Sequence, residues 1–257
     1  MRGNGNLGRT PAPCRTCRPT CFVSSSRPPT PATEGTGDPG GWLAEALRRM
    51  RRHFWLKAIG ISAFMSLFFV GYFQVLRHPR GPVFEMPLTA LDRAIDFQPS
   101  WLAAYLTLWV YVGIPPGFFV RWRGLVLYGA WIGAMCLTSL VIFHLWPTAV
   151  PPPDYSVDLA QHPVFSILQG VDAAGNACPS LHVATAVFSA VWLHVWLPRL
   201  GAPAIALAGS WLWCALILFS TVAIRQHVVL DVIAGAALGL AFAGASMRWV
   251  PVDAVVG

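Results

Sequence analysis

Six stretches of this chain limit what it can fold into more than any other feature: Leu56–Leu76, Trp101–Val120, Leu125–Trp146, Leu181–Leu197, Ala204–Ala223 and Val228–Met247. Each is apolar and close to the roughly 20 residues that a helix needs to cross the hydrocarbon of a bilayer. In lipid every backbone N–H and C=O must be satisfied within the chain, so such stretches become spanning helices. Composition agrees, with 55% hydrophobic and 11% charged residues, where a soluble domain has about a quarter charged. The expected fold is an all-α integral membrane bundle of six helices, with both termini on one side.

The flanks divide the chain further. Residues 1–41 are rich in Pro, Gly, Ser and Arg and lack apolar periodicity, so they cannot bury enough surface to offset the entropy of ordering. We expect a disordered tail there, a membrane domain over 42–250 and a short C-terminal tail over 251–257. Cys14, Cys17 and Cys21 lack a fourth ligand at a suitable spacing, and Cys136 and Cys214 fall inside apolar stretches, so neither a metal site nor a disulfide framework is expected. The first apolar stretch follows Arg48, Arg49, Arg51 and Arg52 and is long enough to span, which makes it a signal anchor rather than a cleaved leader. The formal charge of +7 does not point to nucleic acid, because Lys57 is the only lysine and the arginines fall in the tail or near the ends of the apolar stretches.

Basic residues set orientation. Arg48, Arg49, Arg51, Arg52, Lys57, Arg121, Arg123, Arg199 and Arg248 flank one side, against Arg77, Arg80, Arg93 and Arg225 on the other. The richer side is expected to be cytoplasmic, with the other facing the periplasm of a bacterial inner membrane.

Two polar motifs open apolar stretches on that outer side. Pro179-Ser180-Leu181-His182 opens the fourth and Arg225-Gln226-His227-Val228-Val229-Leu230-Asp231 the sixth, with two crossings between them, so His182 and His227 are expected at the same face. His227 and Asp231 are four apart and share a helix face, where the carboxylate can hold one ring nitrogen while the other points outward. Ser180 is a helix cap, and the free amides at such an end attract an anion. His182 can then protonate a leaving oxygen while His227 attacks phosphorus, with Arg225 and Ser180 on the phosphate. His144 and His194 are weaker candidates, one a packed interfacial residue and the other at the far end of its helix, and no cofactor role falls to the tryptophans.

With Pro-Ser-x-His and His-x3-Asp in this order, the chain resembles the type 2 phosphatidic acid phosphatase superfamily, over roughly residues 50–250 by topology. The resemblance implies a metal-independent, cofactor-free membrane enzyme that cleaves or transfers lipid phosphates, with His227 as the phosphohistidine, Asp231 orienting it and His182 as the acid. The Pro179-Ser180-Leu181-His182 form is similar to the inositol phosphorylceramide synthase branch, which transfers phosphoinositol to a lipid alcohol. Three positions depart from the common pattern: Leu181 stands where many members have Gly, Ser220-Thr221 where they have Ser-Arg, and Trp146 to Asp154 holds no cation. Arg77, Arg80 or Arg93 from the first outer loop can substitute for those cations, and Asp92 or Asp96 can take a head-group hydroxyl. The expected partners are therefore the membrane and a lipid phosphate. Hydrolysis of undecaprenyl diphosphate or phosphatidic acid, a non-enzymatic transporter and a catalytically dead relative stay open as alternatives.

Overall fold

The structure is a computed structural model that describes residues 41–152 and 175–250. The expected tails over 1–40 and 251–257, with Cys14, Cys17 and Cys21, and the loop carrying Asp154, Asp158, His162 and Asp172 lie outside the described residues.

The chain opens with α1 (Gly41–Arg51), whose last turn carries Arg48, Arg49 and Arg51. Five long helices follow in the order expected: α2 (Phe54–Arg77), α6 (Trp122–Leu145), α7 (Leu181–Arg199), α8 (Ala204–Ala223) and α9 (Val229–Trp249). All five are long and apolar enough to cross a membrane, so the chain is an all-α membrane bundle.

The second expected span is divided. Instead of one helix over Trp101–Val120, a 3-10 turn at Pro99–Trp101 leads into α4 (Leu102–Leu106) and then α5 (Leu108–Gly117). The break falls at Thr107, whose N–H is shared between the carbonyls of Ala103 and Ala104 while its hydroxyl donates back to Ala104 O at 2.6 Å. That back-bond tightens and bends a helix, and Trp213 Nε1 donates to the same hydroxyl from α8 at 2.8 Å. Pro115 and Pro116 lie in the last turn of α5, which ends one residue later, as expected of residues that cannot continue a helix.

α7 is the centre of the bundle. Its buried residues fall all round the helix, from Val183 and Ala184 to Trp192 and Trp196, the pattern of a helix surrounded by others. α9 crosses it closely because Gly235 and Gly239 have no side chains. A Cβ at Gly235 would lie 2.4 Å from Ser180 O, and one at Gly239 would lie 2.5 Å from Ala184 O. Small residues spaced four apart let two membrane helices approach to backbone contact. Towards the α1 end, Phe119, Tyr128, Phe188, Trp192 and Trp196 form a buried aromatic cluster whose neighbouring ring centroids lie 5.2–5.7 Å apart.

At the opposite end the connections are tied together. β1 (Phe84–Glu85) pairs in parallel with β2 (Thr148–Ala149), in the register Phe84 to Thr148 and Glu85 to Ala149. Between them in sequence lies α3 (Ala90–Ala94), started by a capping box in which Asp92 and Thr89 exchange hydrogen bonds.

Candidate active site

His182 lies in the first turn of α7, and His227 on the turn between α8 and α9. The structure brings His182 Nδ1 to 3.3 Å from His227 Nε2, so the two motifs that sequence separates by two crossings meet at one end of the bundle. Ser180 caps α7, its Oγ accepting from Val183 N–H at 3.3 Å, and its own N–H donates to Asp231 O at 3.1 Å. The two motif segments are thus bonded to each other through backbone as well as facing through side chains.

Asp231 is fully buried. Its Oδ2 accepts from Val228 N–H at 3.0 Å and stands 3.6 Å from His227 Nδ1. That separation is longer than a hydrogen bond, and both His227 Nδ1 and Asp231 Oδ1 lack a hydrogen-bond partner among the described residues. Catalytic hydrogen bonds are often this loose before substrate arrives. Beside them Cys178 is buried, and burial first, then the Asp231 carboxylate, push its thiol up to about 11. It therefore stays protonated at neutral pH, an S–H beside a carboxylate rather than a nucleophile.

Tyr105 completes the line, a residue that sequence reasoning passed over. On α4 it is buried, with Oη 2.6 Å from His182 Nε2. The carboxylate at one end determines how protons are arranged along the row. Asp231 only accepts, so His227 holds its proton on Nδ1 and keeps a lone pair on Nε2. His182 then donates from Nδ1 to that lone pair and accepts at Nε2 from the Tyr105 hydroxyl. The reverse order would set a lone pair against the carboxylate. A tyrosine inside an apolar stretch has no local signature, and its only legible clue was its place near the same end of the bundle as the histidines.

Arg225 is held differently from the expectation of a free guanidinium. Its Nη1 donates to Asp92 O at 2.8 Å and its Nη2 to Ile95 O at 2.7 Å, while Nε is buried without a partner among the described residues. Its backbone lies in the left-handed region at φ 57°, which costs a residue with a Cβ roughly 1–3 kcal/mol. Asp92, expected as a head-group ligand, is also committed: Thr89 N–H and O–H donate to Oδ2, and Val229 N–H to Oδ1 at 2.8 Å. With Gln98 N–H donating to Ala223 O, α3 and its flanks clamp the turn that carries His227. The capping-box spacing of Thr89 and Asp92 was readable in sequence, but its partner Val229 was not.

The histidines open onto a cavity of about 870 Å³ that runs between α2, α5 and α6, and Gln226, Asn176 and Thr185 join them at its mouth. Gln226, which lines the same cavity as both rings, was passed over in the sequence as a neighbour of His227. No Arg, Asp or Glu among the described residues lines this cavity, and the sequence over 153–174 has no Lys or Arg. Among the described residues no cluster of three or more His, Cys, Asp or Glu is placed to hold a metal.

A bundle of membrane-length helices with two facing histidines at one end, one backed by a buried aspartate, defines a class of membrane protein built for chemistry at the mouth of an apolar cavity. Comparison with known proteins narrows it: residues 129–253 match the PAP2 superfamily. The matched region begins in α6 and includes both histidine motifs and all of α7, α8 and α9. No curated protein matches the chain. The match to the PAP2 superfamily, over apolar helices, supports a membrane lipid phosphatase-type function, and with it an enzyme role.

Proposed function

We propose that the protein transfers the phosphoryl group of a membrane lipid through a phosphohistidine on His227. The observation that carries this reading is the 3.3 Å approach of His182 Nδ1 to His227 Nε2, with Asp231 behind the second ring and Tyr105 behind the first. The lone pair on His227 Nε2 forms the bond to phosphorus. The departing oxygen takes the electron pair of the broken P–O bond and a proton from Nδ1 of His182, which enters this step as the imidazolium, its second N–H on Nε2 facing Tyr105 Oη, and leaves it as neutral imidazole. An acceptor hydroxyl then attacks the phosphohistidine, gives its proton to His182 and frees His227. Because the two ring nitrogens stand 3.3 Å apart, the phosphoryl group enters by parting them.

Phosphate oxygens need donors, since charge builds on them in the transition state. Ser180 contributes through the helix start it caps, an end whose first-turn N–H groups favour an anion. Arg225 contributes through the turn it braces, and Gln226 through its amide. Cations at this mouth are sparse, which favours a singly charged phosphodiester over a doubly charged phosphomonoester. Head-group transfer, of phosphoinositol or a similar group, to a lipid alcohol is therefore preferred to hydrolysis of phosphatidic acid or undecaprenyl diphosphate. The site faces the periplasmic side of a bacterial inner membrane in this reading.

The test is purified protein in detergent with EDTA, offered radiolabelled phosphodiester lipids with and without a lipid alcohol, alongside phosphatidic acid and undecaprenyl diphosphate. Label should pass to the alcohol, and His227→Ala should abolish transfer. Turnover unchanged by that substitution would end the phosphohistidine proposal, and release of inorganic phosphate from the monoester or diphosphate alone would replace transfer by hydrolysis.

A further inference from the structure

The cavity beside the histidines is deeper than a phosphate head group requires. The part of α2 that lines it, from Leu56 to Phe73, spans about 26 Å at 1.5 Å per residue, most of the thickness of a bilayer core. Beyond the polar groups at its mouth its walls are mostly apolar. The one formally charged lining residue, Lys57, is at the far end, where its ammonium donates to Arg49 O at 2.8 Å and Gly117 O at 2.5 Å. Tied there, it presents its methylene stem rather than its charge.

Three glycines on three helices keep the inner half of this cavity open. Gly60 on α2, Gly113 on α5 and Gly129 on α6 all line it, and a Cβ built on any of them meets no atom within 4 Å. This contrasts with Gly235 and Gly239, where the missing side chain serves helix contact. Hydrocarbon lying along an apolar channel of this kind gains dispersion contacts over its whole length. The bundle places its mouth at His182 and His227.

We propose that this cavity is the seat of the substrate's tail: a lipid phosphate inserts one long hydrocarbon chain inside the bundle, between α2, α5 and α6, and Gly60, Gly113 and Gly129 set how long a chain fits. This proposal rests on the phosphoryl-transfer reading for the identity of the head group, and adds to it a selection for tail length. A chain that reaches the glycines is held along its whole length, and a short one fills only the mouth.

The test uses hexadecyl phosphate and octyl phosphate, each carrying a diazirine at the tail end, flashed on ice with the full chain in detergent and mapped by mass spectrometry. The hexadecyl probe should label residues deep in the cavity, such as Phe64 and Ile132, and the octyl probe residues near Tyr72. In Gly113→Leu and Gly129→Leu the deep adducts should vanish and hexadecyl phosphate binding should weaken by at least about tenfold, the worth of two methylenes returned to water. Octyl labelling should persist, which also reports that the variants are folded. Hexadecyl adducts confined to lipid-facing residues such as Leu67, Ile205 and Ile233 would overturn the proposal, as would deep adducts unchanged by both leucines. Labelling needs no turnover, so deep adducts in a protein that transfers no phosphoryl group would keep the tail site and remove the catalytic reading instead.

Discussion

At the scale of single residues, the site is a row of four side chains in which each fixes the proton on the next. Tyr105 is the member with no chemistry of its own, and it therefore gives the sharpest test of the arrangement. Tyr105→Phe keeps the ring that packs 4.8 Å from His182, centroid to centroid, and removes only the hydroxyl. His182 then loses the partner that holds its proton on Nδ1, and the share of molecules with the donor facing the leaving oxygen falls. We expect kcat to drop by about tenfold, the worth of one hydrogen bond at about 1–1.5 kcal/mol, with KM nearly unchanged and the alkaline limb of the pH profile displaced. A drop in KM and kcat together with a lower melting temperature would instead make Tyr105 a packing residue. The pair His227 and Asp231, the cap at Ser180 and the partner histidine were legible in sequence because each carries a spacing rule. Tyr105 and Gln226 carry none, and Arg225 read as a free cation because nothing local announces the carbonyls of Asp92 and Ile95 that it holds.

At the scale of elements, helix ends were legible wherever a local signal sets them. α8 runs over the expected Ala204–Ala223, α7 begins after its serine cap, and α5 stops after its two prolines. The break at Thr107 was not legible, since a threonine back-bond is common and its consequence here depends on Trp213 arriving from another helix. The same holds for the clamp of Asp92 on Val229, which joins residues 137 apart. The contact between α7 and α9 has the largest functional weight, because it sets the gap between the histidines. Gly235→Ala or Gly239→Ala would drive a methyl into a backbone carbonyl that cannot rotate away, so the helices must part. Overpacking of this kind costs about 1–3 kcal/mol, and we expect a lower melting temperature in detergent together with activity lost beyond the fall in stability. Gly244→Ala, on the same helix with open space around it, should leave both measurements unchanged or raise stability slightly, since alanine is the better helix former. Equal effects at all three positions would mean that the close crossing does not govern the site.

At the scale of the whole molecule, the bundle has two unlike ends. The histidines, the paired β1 and β2 and the α3 clamp occupy one, with Arg77, Arg80, Arg93 and Arg225. The other gathers Arg48, Arg49, Arg51, Arg52, Lys57, Arg121, Arg123, Arg199 and Arg248, and α1 lies there, with Arg49 set 5.7 Å over the Trp196 ring. Basic residues beside spanning segments are retained in the cytoplasm, so this asymmetry predicts which way the protein sits, and hence which leaflet presents its substrate. Alkaline phosphatase, which folds only outside the cytoplasm, is the reporter. Fused after Arg80 it should be active, and fused into the turn at Gly201 or after Gly257 it should be inactive. The opposite pattern would place His182 and His227 at the cytoplasmic leaflet. The expected pattern requires the lipid phosphate to stand in the outer leaflet when His227 acts on it, so the leaflet that supplies the substrate follows from the same measurement.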